Sequence, residues 1–83
     1  MNRDTFIIQE FVTRRKRLVP GNKMPAKTKH HALRDAERLA VRAEGVAVIH
    51  VVADDETSEV SSIEVLARHG AIPEEFEEGI RAA

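Results

Sequence analysis

The sequence contains no cysteine, no tryptophan and no tyrosine. Without thiols there is no disulfide staple and no thiolate metal centre to supplement a small core. Phe6, Phe11 and Phe76 are the only aromatics, so the core has to be built from Val, Ile, Leu and Ala. Long apolar runs are missing too. Val46 to Ile49 falls far short of the roughly 20 residues that span a bilayer. Phe6-Ile7-Ile8, followed at once by Gln9 and Glu10, is too short for a signal-peptide core. A cytoplasmic protein with no membrane partner is the expectation.

Catalytic signatures are equally scarce. Ser58, Ser61 and Ser62 lie outside any G-x-S-x-G or phosphate-loop pattern and read as turn and edge-strand serines. His30 and His31 are adjacent on a predicted helix, so their side chains diverge by about 100° and do not chelate one ion. His50 and His69 fall on two strands of a predicted hairpin, roughly 14–20 Å apart at about 3.3 Å per residue. His50 is expected half-buried with one nitrogen bonded. The chain is therefore expected to be non-enzymatic, with no metal and no cofactor.

What is present is a single domain over residues 1–83, in which 42% of residues are apolar and 33% charged. A chain of this length buries roughly 60–65% of its unfolded surface, enough for one modest core. Thr5 to Thr13 is rich in β-branched and aromatic residues and reads as a strand with apolar groups on both faces. A basic turn, Arg14-Arg15-Lys16-Arg17, leads to a second strand from Leu18 to about Met24, bulged near Pro20-Gly21. From Thr28 to Gly45 the spacing of Ala32, Ala36, Leu39 and Ala43, widened by Leu33 and Ala40, predicts one long amphipathic helix. Thr28 is its expected N-cap and Gly45 its expected left-handed stop. Its alanine stripe suits close approach to a sheet.

Val46 to Ala53 is the strongest strand, apolar on both faces, and Val60 to Arg68 closes a hairpin with it. In that last strand the alternation turns Ile63, Val65 and Ala67 inward and Glu64, Leu66 and Arg68 outward. Pro73 opens a short C-terminal helix with an apolar seam of Ile72, Phe76 and Ile80. The predicted fold is α+β: a four-stranded, mainly antiparallel ββαββ sheet covered by one long helix, plus the short C-terminal helix. The Thr28-Lys29 cap, Ala32, Ala36 and Ala40, Gly45 before a Val-rich strand, the IIQEFV opening and the HGAIPEEF ending resemble small uncharacterised bacterial proteins of ββαββ type. That resemblance implies the architecture and carries no activity.

Two surfaces stand out. Residues 1–42 carry eleven Lys and Arg against four acids, a net +7, while residues 43–83 carry two against ten, a net −8. Either the basic half meets an anionic partner or the two halves lie side by side and neutralise each other. Arg14, Arg15, Lys16, Arg17, Lys27, Lys29, His30, Arg34 and Arg38 form the candidate anion or nucleic-acid contact, with Arg42 continuing the helical step. The second candidate is a protein interface at Leu66, Ile72, Phe76 and Ile80, since one helix covers only one face of the sheet. The favoured reading is a binding or regulatory module acting through protein contacts, as a homodimer or with another protein; the alternative is nucleic-acid binding through the basic hairpin and helix face.

Overall fold

The computed structural model describes residues 2–82. In chain order the elements are β1 (Asn2–Arg14), β2 (Arg17–Ala26), α1 (Lys29–Leu39), β3 (Gly45–Asp54), β4 (Val60–Gly70) and α2 (Glu74–Ala82). The strands form one antiparallel sheet in the order β2-β1-β3-β4. This is the expected α+β arrangement, with β3 as an inner strand because only an inner strand buries apolar groups on both faces. The C-terminal helix, expected from Pro73, is α2; Ala83 lies outside the described residues.

The main helix is not the eighteen-residue element the periodicity suggested. α1 has 11 residues and ends at Leu39, its last fully packed side chain. Beyond it the bonds tighten, with Arg42 N–H donating to the Leu39 carbonyl at 3.0 Å and Val41 standing 88% exposed. A helix continuing to Gly45 would carry the chain past the point where β3 must begin. Gly45 is therefore no helix stop but the first residue of β3, paired with Phe11. Thr28 is the N-cap as expected, its hydroxyl accepting the His31 N–H at 3.1 Å.

α1 lies across the face that presents Ile8, Val46 and Val48, and its Ala32 and Ala36 are completely buried against them. Methyl-sized side chains leave no space between helix and sheet. Ala36→Leu is therefore expected to lower stability by about 1–3 kcal/mol through overpacking. A thermal melt superimposable on that of the parent chain would show that the helix does not seat on this stripe.

The opposite face carries Ile7, Gln9 and Phe11 from β1 and Ala47, Ile49 and Val51 from β3. α2 covers one end of it. Phe76 meets the fully buried Phe11 edge-on, with ring centroids 4.9 Å apart, and Glu77 pairs with Arg68 of β4. The expected bulge near Pro20-Gly21 is present as a register shift between Gln9 and Phe11. Gln9 is buried there, its amide within 3.4 Å of the Glu10, Gly21 and Asn22 carbonyls. The side chain thus supplies donors where the bulge interrupts the ladder. On the loop into β3, Glu44 accepts from the Thr13 hydroxyl and, at 3.1 Å, from the Thr13 N–H. The hydroxyl first and the N–H second hold its carboxyl below the usual carboxylate range.

Candidate functional site

The basic residues gather on the β2 side of the sheet. Arg14 pairs with Arg17 across a two-residue turn made of Arg15 and Lys16, with φ of 52° and 67°. Positive φ at both central positions is what a type I′ hairpin requires, and Asn-Gly is the sequence that meets it without strain. Arg and Lys there cost on the order of 1–3 kcal/mol each. All four side chains of the tip are exposed. Pairing of β1 with β3 stops at Phe11, whereas pairing with β2 continues to Arg14, so the ribbon runs about 10 Å beyond the body of the sheet.

Lys27, Lys29 and His30 lie at the other end of β2, about 30 Å from the tip along its ten residues. They are exposed, as are Arg34 and Arg38 on the outer surface of α1. Arg38 and Arg42 flank a shallow cavity of about 210 Å³ over Met24 of β2, which Asp35 and Leu39 also line. The candidate cations are therefore divided among the hairpin tip, the far end of β2 and the outer surface of α1, with Asp35 and Glu37 among those on the helix.

The apolar candidates divide between the two faces. Phe76 belongs to the α2 seam on the second face, with Ile72 and Ile80 half-buried beside it in the chain. Leu66, expected on the outward face, packs against the α1-side core instead. The cause is a bulge: the register of β4 against β3 slips between Val48 and Ile49, so the strict alternation breaks at Leu66. Ile63 and Val65 consequently stand opposite Val51 and Ile49 on the face away from α1. Together with Ile7 of β1, opposite the buried Ile49, Ile63, Val65 and Val51 form a half-buried apolar platform. The sequence signal for it was the apolar parity of β3, once the phase of β4 is corrected.

The larger cavity, about 660 Å³, opens between Leu18, Val19 and Pro20 of β2, Pro73 just before α2 and Phe76 within it, with Arg17 and Glu75 on its walls. Its lining offers a guanidinium and a carboxylate but no hydroxyl, thiol or imidazole. His50 sits far from it, opposite Glu64 in the register. Its ring stacks on Phe6 with centroids 4.7 Å apart; Nε2 stands 2.8 Å from Asp4 Oδ1 and Nδ1 3.5 Å from Glu64 Oε1. Both nitrogens thus face carboxylates, where one bonded nitrogen was expected. His69 pairs with Val46, several steps away along the strand. Among the described residues no group of three His, Cys, Asp or Glu is placed to hold a metal ion, and no helix is long and apolar enough to cross a membrane.

No protein-family model matches the chain, and no curated protein or solved structure matches it.

Proposed function

We propose that the protein is a non-enzymatic binding module of the cytoplasm that acts through protein contacts, with the platform of Ile7, Val51, Ile63 and Val65 as its interface. One observation carries this reading. α2 meets the second face at Phe11 and Arg68, and farther along that face apolar side chains from three adjacent strands are half-buried. Apolar surface left in water costs about 25 cal/mol per Å², so covering it with a second protein surface is favourable. Self-association is the simplest form of that cover.

The expected result is a sedimenting species of twice the 9.3 kDa chain mass at micromolar concentration. Ile63→Lys should return it to a monomer with little change in melting temperature, because Ile63 is only half-buried. Leu66 is unsuitable for this purpose, since its substitution would disturb the α1-side core. A parent chain that remains at 9.3 kDa when concentrated, and captures no protein through this face, would end the proposal.

A further inference from the structure

We infer that the basic edge of the sheet is a second binding surface, distinct from the apolar platform, and that it seats on the phosphate backbone of double-stranded DNA without regard to base sequence. Its contact groups are Arg14, Arg15, Lys16 and Arg17 at the hairpin tip, with Arg38 and Arg42 beside β2.

The first support is the way topology sorts charge. The strand order β2-β1-β3-β4 places the basic β1–β2 hairpin on one flank of the sheet and the acidic β3–β4 hairpin on the other, with α1 crossing between them. The two halves of the chain meet along the β1–β3 pairing, where α1 packs on β3, and where Phe76 of α2 meets Phe11. From β2 to β4 is three strand spacings, about 14 Å, which exceeds the Debye length of about 8 Å at physiological ionic strength. A phosphate arriving at β2 is therefore largely screened from the acids of β4, and among the acids of α2 it is Glu75 that shares a cavity wall with Arg17. The net charge of −1 averages a basic strand pair and an acidic one on opposite flanks of the sheet.

The second support is the tip itself. Positive φ at Arg15 and Lys16 places two long cations where small residues would relax the turn. Strain held at a point of concentrated charge points to a role for that charge. The tip also ends a two-stranded ribbon that projects past β3. A ribbon of this kind fits the major groove of B-form DNA, about 12 Å wide, whereas the deep and narrow groove of duplex RNA does not admit it. Behind the tip, Arg38 and Arg42 stand over Met24 on the same edge strand, in position to meet an adjoining backbone.

The third support decides between duplex and single strand. Single-stranded nucleic acid is usually gripped by aromatic side chains on which bases stack. Here every aromatic is engaged: Phe6 stacks on His50, Phe11 is fully buried, and Phe76 is set against Phe11. With no Trp or Tyr, the basic edge offers charge and hydrogen-bond donors but no stacking platform. Phosphate contact without base readout is what such a surface provides.

The test is fluorescence anisotropy with a labelled duplex of about 20 base pairs and the matching single strand, titrated at roughly 25 to 200 mM salt. With about six phosphates neutralised, log K should fall against log salt with a slope of about −5.4, a loss of roughly 1,000-fold or more between 50 and 200 mM. The decisive variant is Arg15→Asn with Lys16→Gly. It removes two tip charges and relaxes the turn, so it should melt no lower than the parent while the salt slope flattens by about 1.8 units. Arg38→Gln with Arg42→Gln should flatten the slope similarly, which places α1 on the same ligand. No duplex binding at the lowest salt, or equal affinity for parent and tip variant, would overturn the inference. Tighter binding to the single strand, or binding only to vesicles containing phosphatidylserine, would do so as well. Ile63→Lys, which addresses the platform, should leave duplex affinity per chain unchanged, so failure of either surface is read separately.

Discussion

Gly45→Ala should cost about 2–4 kcal/mol, enough to lower the melting temperature by about 8 °C or more in a domain of this size. A Cβ built at position 45 falls 1.8 Å from the carbonyl oxygen of Ala71 and 2.8 Å from its carbon. Both atoms are backbone, and a flexible side chain could not be swung aside to make room. Relief requires moving the segment after β4 by more than about 1 Å, which strains the Ala71 N–H bond to the Glu44 carbonyl, 2.9 Å long, and the Gly45–Gly70 rung beside it. Overpacking of about 1–3 kcal/mol and the loss of a hydrogen bond worth about 1 kcal/mol make up the figure. Gly79→Ala supplies the contrast. Nothing lies within 4 Å of its added methyl and it sits inside α2, so that change should stabilise by roughly 0.5–1 kcal/mol. Equal melting temperatures for the two variants would mean that the β3 start and the segment after β4 do not meet as described.

The same glycine marks where local reading of the sequence stops. Gly45 follows an apolar-periodic segment, and locally nothing distinguishes a helix stop from a strand start. Its actual requirement is the Ala71 carbonyl, twenty-six positions along the chain. Leu66 is a second case. Alternation assigned it to the outward face, but the slip between Val48 and Ile49 turns it toward α1, and the position of a bulge depends on the partner strand. By contrast β3 was legible because its residues are apolar on both faces, and the Ala32–Ala36 stripe because methyl side chains at helical spacing have few other uses. The basic run was placed correctly at a hairpin turn. Its positive φ values were not foreseeable, since Arg and Lys are not the residues that favour them. That one main helix leaves the second face to α2 was expected from counting helices against sheet faces, and Ile7, Val51, Ile63 and Val65 there are half-buried. Which residues form the platform depended on the phase of β4, and hence on that bulge.

Phe11→Ala is the second large effect, expected to cost about 3–5 kcal/mol. Phe11 is fully buried and lies where β1, β2 and β3 are all joined, opposite Pro20 on one side and Gly45 on the other. Across the second face its ring receives the edge-on contact of Phe76, the only aromatic contact between α2 and the sheet among the described residues. α2 is nine residues long, too short to persist without tertiary support. Truncating Phe11 therefore removes core volume and the anchor of α2 in one step, and helical signal should be lost at lower denaturant concentration than sheet signal. Phe76→Ala, at a half-buried position, should cost less. In a double-mutant cycle the two rings should couple by about 0.5–1.5 kcal/mol, the usual worth of an edge-to-face pair. A coupling of zero, with helix and sheet unfolding together in every variant, would show that α2 is held by the Glu77–Arg68 ion pair and its neighbours. That outcome would also change the platform, because a helix not fixed at Phe11 could slide toward Val65 and cover part of it.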